Sequence, residues 1–225
     1  FGFPMRYAPQ AGTTFHAETL LNGVGYLHVR SFMGIEGVAA ISQFFSAANP
    51  QKGIVLDLRS NTGGYLTDMQ ALLSFLVSQS TVIASCEEKV PGTFGTPTRV
   101  DVAPHPSVRF SGKVAVLTNR RTKSGGDFFA LAIKQKGEPN RLRLFGAPTA
   151  GALSIPLPMS VSVPFGAHPD TWTVLAPAAR CRNNQGALLS PGDGVVPDEQ
   201  VPQTLASLSS GTDIVLERAL TWLAQ

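Results

Sequence analysis

Gly53-Ile-Val-Leu-Asp-Leu-Arg-Ser-Asn-Thr-Gly-Gly64 begins as a short, nearly continuous apolar run and ends in two glycines. The run Gly53 to Arg59 reads as a strand covered on both faces. The stretch Tyr65 to Ser78 then spaces its apolar residues as an amphipathic helix does. Two glycines at such a junction let the backbone bend sharply and leave N–H groups exposed at a helix N-terminus. Those donors can serve as an oxyanion hole. Equally, they can be a plain strand-to-helix turn that needs positive φ.

The same alternation extends to both sides. Leu21 to Phe32 reads as a strand introduced by the turn Asn22-Gly23, and Ile35 to Ala48 as a helix ended by Asn49-Pro50. Downstream, Thr81 to Ser85, Val114 to Thr118 and Arg141 to Phe145 read as strands, and Ser124 to Lys136 as a helix. Pro91 to Pro106 reads as an excursion loop, and Gly146 to Pro202 as short strands among many prolines and glycines. Thr212 to Leu223 closes the chain as an amphipathic helix with Asp213 in its first turn. Strand then helix, repeated with short connections, predicts an α/β fold with a largely parallel sheet. No linker demands a second domain, so residues 1–225 read as one domain with an N-terminal extension over 1–20.

Composition fits a globular protein: of 225 residues, 43% are hydrophobic and 15% charged. The net charge of +3 is scattered, with no basic run longer than Arg120-Arg121, so no nucleic-acid partner is expected. The longest apolar stretch, Ala71 to Val77, is too short to span a bilayer. The chain begins at Phe1 rather than Met, which suggests a processed or excised segment. Cys86 and Cys181 allow one disulfide, but two buried free thiols are the default expectation. The Cys and His residues lack metal-ligand spacing, and no cofactor is expected.

A second strand-to-helix turn is Asn119-Arg-Arg-Thr-Lys-Ser-Gly-Gly-Asp127. A serine at a helix start is commonly just an N-cap. On such a turn it can also be a nucleophile displayed beside backbone N–H donors. If the two turns lie on neighbouring strands, hydroxyl and donors point into one crevice at the carboxyl ends of the strands.

Together these residues carry a resemblance. Asp57 to Gly64 resembles the D-x-R-x-N-x-G-G signature of the C-terminal processing (tail-specific) proteases, peptidase family S41, which include tricorn-type enzymes. Asn119 to Asp127 is similar to the family's N-x-x-T-x-S-[AG]-x-[DE] turn. Gly146-Ala-Pro-Thr-Ala-Gly151, Gly194-Val-Val-Pro-Asp198 and Gly25-Tyr-Leu-His-Val29 resemble three further segments, in the family's order. The resemblance implies a layered β-β-α core like that of crotonases and the Clp protease subunit. It implies Ser124 as nucleophile and Gly125 with Gly63 or Gly64 as oxyanion donors.

Family members with a Ser–Lys dyad carry lysine where this chain has Ala152. The tricorn-like branch instead uses a histidine of the first core strand and an acid near the closing motif. By that resemblance His28 is the general base and Asp193 the orienting acid, one methylene shorter than the family's glutamate. His16, His105 and His168 match no motif and read as surface residues; Lys123 diverges from Ser124, and Lys134 reads as solvated. The expected activity is a serine endopeptidase acting on a polypeptide substrate, with a homo-oligomer left open. The alternatives are a silent binding module on the same fold, for a hydrophobic ligand or peptide, and an inactive fragment. Relatives usually carry an N-terminal helical region and often a PDZ domain, neither visible here. Bacterial members of the family are often extracytoplasmic, which gives the expected location.

Overall fold

The computed structural model describes residues 14–34, 38–165 and 168–225. Its central sheet is built from β1 (Phe15–Thr19), β2 (Gly25–Val29), β3 (Ile54–Asp57), β7 (Val114–Thr118), β8 (Leu142–Gly146) and β12 (Glu199–Gln200), in that spatial order. β1 runs antiparallel to β2, and every other neighbouring pair is parallel. This is the mixed α/β, largely parallel arrangement expected from the apolar runs.

The period of two along each strand sorts the core into two layers. Leu27, Val29, Leu56, Val116 and Leu144 project to one face, where they meet α1 (Val38–Ala47), α2 (Leu66–Ser74) and α3 (Gly125–Lys136). Tyr26, Val55, Ala115, Leu117 and Phe145 project to the other, against Val215, Ala219 and Trp222 of α5 (Ile214–Leu223). Strands β2, β3, β7 and β8 lie side by side in chain order. The turns that leave their carboxyl ends are therefore neighbours as well. No helix among the described residues is long and apolar enough to cross a membrane.

Several expectations change. β1 falls inside the stretch read as an N-terminal extension, whose first 13 residues lie outside the described ones, as does Ile35 of the first helix. The strand expected over Thr81 to Ser85 runs on to Val90 as β4 (Thr81–Val90). The supposed loop after it holds β5 (Thr93–Phe94) and β6 (Thr98–Val102), both paired with β4. Beyond β8, where short strands were expected, stand a hairpin of two ten-residue strands, β9 (Pro156–Phe165) with β10 (His168–Pro177), and the shorter β11 (Ala179–Asn183). A short helix, α4 (Leu205–Ser209), is capped by Thr204 and was not anticipated.

The default of free thiols is overturned as well. β11 pairs with β4 so that Cys181 lies opposite Cys86, and the two form a buried disulfide. His105 is not a bystander on the surface. Its ring stacks on Phe75 at 4.4 Å, and its Nδ1 accepts the Val108 N–H. Lys134 is half-exposed but pairs with Asp198.

Candidate active site

Parallel pairing of Asp57 with Leu117 sets the turn after β3 directly beside the turn after β7. Asn61 organises the first turn. Its Oδ1 accepts the Gly63 N–H at 2.9 Å, and its Nδ2 donates to the Val29 carbonyl at 2.9 Å. Phe32, just past β2, donates to the Gly63 carbonyl and accepts from Tyr65, so backbone flanks Gly64 closely. A Cβ on Gly64 would lie 2.3 Å from the Phe32 carbonyl carbon, at φ +141°. Only glycine fits there. Because Asn61 occupies the Gly63 N–H, Gly64 holds the free donor of the pair.

The second turn is sewn to the first. Thr122 is fully buried; its hydroxyl donates to the Leu58 carbonyl at 2.8 Å, and the Lys123 N–H donates to the Asn61 carbonyl at 3.0 Å. Ser124 follows with φ 55° and ψ −117°, a conformation that costs about 1–3 kcal/mol for a residue with a side chain. It stands at the N-cap of α3, yet its hydroxyl makes no capping bond. The hydroxyl is thus released from the role a helix-start serine ordinarily plays. A Cβ on Gly63 would approach the Ser124 Cβ to 2.6 Å and its Oγ to 3.0 Å. The Cβ position of Gly125 lies 3.6 Å from the Gly64 nitrogen and 3.0 Å from the Phe32 ring. Ser124, Gly63, Gly64 and Gly125 are therefore brought together, with Phe32 packed beneath.

His28 sits deeper. It is 2% exposed, opposite Asp57 in the β2–β3 register, and faces the α5 side as Tyr26 does. Burial pushes its pKa below 6.5, against the opposing pull of Asp57 and a hydrogen bond to the Arg59 carbonyl. Its Nε2 is buried and has no hydrogen-bond partner. Asp193 is exposed on a turn, with its N–H on the Ser190 carbonyl. No hydrogen bond among the described residues joins His28 to Ser124 or to Asp193.

The D-x-R letters of the first motif turn out to be structural. Arg59 is 1% exposed; its guanidinium grips Asp57 and also Asp213, while the Tyr26 hydroxyl donates to Asp57 at 2.8 Å. Burial alone would raise the Asp57 carboxyl; the Arg59 guanidinium overrides it and holds the group below the usual carboxylate range. Sequence reasoning missed this network because its third member lies near the far end of the chain. It also passed over Asn61, Thr122 and Asp127, although each is a letter of a quoted motif.

Ala152, the position of lysine in Ser–Lys relatives, lies in the same neighbourhood. Its N–H donates to the Asp127 carboxylate at 3.0 Å.

The model of peptidase family S41 matches residues 23–201. A Chlamydia trachomatis serovar D protein is 32% identical over 101 residues, covering 43% of this chain and 16% of that protein. Among solved structures, a Parabacteroides merdae ATCC 43184 protein described as a candidate peptidase has a TM-score of 0.79 at 22% identity, over 96% of this chain and 66% of that one. Mature CPAF gives 0.72 at 17% identity, over 99% of this chain and 55% of that one. The photosystem II D1 C-terminal processing protease gives 0.56 at 22% identity, over 85% and 47%. The chain spans less than two thirds of the length of each of these relatives.

Proposed function

The chain belongs to peptidase family S41, and from that premise we propose that it is a serine endopeptidase cleaving polypeptides through an acyl-enzyme at Ser124. The observation that carries this reading is the Ser124 turn. Its hydroxyl is free of capping duty, its backbone is held at φ 55°, and the Gly64 and Gly125 backbones adjoin it.

In this reading the Ser124 Oγ attacks the scissile carbonyl carbon while the base takes its proton. The carbonyl oxygen gains charge against the Gly64 and Gly125 N–H groups. Collapse breaks the C–N bond as the proton passes to the leaving amine, and water then hydrolyses the ester. His28 is the proposed base: it is buried, neutral at neutral pH and unpartnered at Nε2. Its contact with Ser124 forms on substrate binding, since such hydrogen bonds often tighten only in the complex. Asp193 is the proposed orienting acid. The Cys86–Cys181 bond supports an oxidising, extracytoplasmic compartment.

A second reading, a silent binding module on this fold, draws on the enclosure of His28 on the α5 side and the exposure of Asp193. Labelling with a fluorophosphonate probe, read by mass spectrometry, separates the two. An adduct on Ser124 that disappears in His28→Ala supports the peptidase and its base. An adduct that persists in His28→Ala removes His28 from the mechanism, and no adduct at all favours the silent module.

A further inference from the structure

Asp127 is fully buried on the first turn of α3 and faces no cation. Its two carboxylate oxygens instead accept one backbone donor each, the Gly151 N–H at 2.8 Å and the Ala152 N–H at 3.0 Å. An ordinary capping box would have the serine hydroxyl bonded back to the helix. Here that half is absent, and the acid bonds instead to a segment more than twenty residues away.

That segment is itself zipped to the closing motif. The Val195 N–H donates to the Thr149 hydroxyl at 2.8 Å, and the Gly192 N–H donates to the Gly151 carbonyl. A Cβ on Gly194 would lie 2.0 Å from the Thr149 oxygen, so the two backbones touch. Asp127 thus bonds the start of α3 to a segment that in turn holds the closing motif.

Resting on the peptidase reading of Ser124, we infer that Asp127 is a positioning residue that clamps the nucleophile turn. Bonding the first turn of α3 to Gly151 and Ala152, it fixes where that turn starts and so holds the strained backbone that presents the Ser124 hydroxyl. Burial pushes the carboxyl up, partly offset by its hydrogen bonds, so the site keeps a negative charge only while these bonds are intact. The dipole of α3 adds to them. Asparagine has nearly the same shape but turns an N–H₂ toward donors, so it breaks the clamp without opening a cavity.

The test uses Asp127→Asn with two readouts. The first is the fluorophosphonate reaction of folded protein, separated into probe affinity and maximal inactivation rate. Loss of a charge-assisted bond predicts a fall in the maximal rate of at least about tenfold with affinity nearly unchanged. The second is hydrogen exchange: the Gly151 and Ala152 amides exchange at least about tenfold faster, while those of Leu131 and Ile133 do not. A variant with lower thermal stability but wild-type inactivation rate and exchange at those two amides would overturn the clamp. If wild type itself takes no probe, the peptidase reading falls, and the exchange pattern alone decides the role of Asp127. Should Asp127→Asn not fold, Thr149→Val removes the hydroxyl that accepts the Val195 N–H and loosens the same segment. The same readouts then predict a rate fall of about threefold, and no change counts against the clamp.

Discussion

Arg59 and Asp213 lie 154 positions apart, and two hydrogen bonds of 2.8 and 2.7 Å join them. Asp213 is at once the N-cap of α5, accepting the Leu216 N–H, so the guanidinium ties the last helix to β3. Arg59→Ala leaves the Asp57 carboxylate buried without its cation, and the expected loss is about 3–5 kcal/mol. Urea unfolding of the variant checks it. The Asp57 carboxyl is lowered in the fold, so its stabilisation is full above the unfolded carboxylate range near pH 4 and is lost as pH falls through the folded value.

His28 has the opposite chemistry. The unfolded imidazole takes up a proton near pH 6.5, whereas the folded one, kept neutral by burial, does so only at lower pH. Between these values the unfolded chain binds the extra proton. Stability is therefore greatest above pH 6.5 and falls as pH drops, by up to about 1.4 kcal/mol per pH unit. This window lies above that of Asp57. Urea midpoints between pH 5 and 7 should slope for wild type and flatten for His28→Gln; equal slopes would remove the imidazole as the cause.

Ser124→Gly separates strain from chemistry. Glycine adopts φ 55° freely, so the variant gains about 1 kcal/mol of stability after its larger unfolded-state entropy is subtracted, while probe labelling vanishes. A destabilised variant would mean that the turn stores no strain at this residue.

The disulfide closes a separation of 95 residues. Replacing both cysteines with alanine should lower stability by about 2–5 kcal/mol. Thiol titration should find no reactive group at either cysteine, in the native or the denatured protein, because both sulfurs are held in the disulfide.

What could be read in advance follows from the range of each interaction. Ile54 to Leu56 and Val114 to Leu117 are apolar throughout, so β3 and β7 announce themselves and fix where the two turns lie. β6 is hidden because Thr98, Arg99 and Asp101 face solvent beside prolines, and its pairing with β4 is tertiary. The disulfide depends on a register between β4 and β11 that no local pattern encodes. Ser124 could be located by motif. Its release from capping depends on φ, which no motif letter encodes. His28 could be placed on its strand, but the face it occupies follows from Tyr26 and Asp57 packing toward α5.

The bond between Cys86 and Cys181 makes a covalent ring of the chain between them. Ser124, Asp127, Gly151 and the whole β9–β10 hairpin lie inside that ring, while Gly63 and Gly64 lie outside it. A single backbone cut anywhere within the ring, including one made by a neighbouring copy of the protein, leaves the molecule in one piece. The nicked chain would separate into two bands only under reducing conditions, and Ser124 would stay tethered to the strand that leads to Gly63 and Gly64.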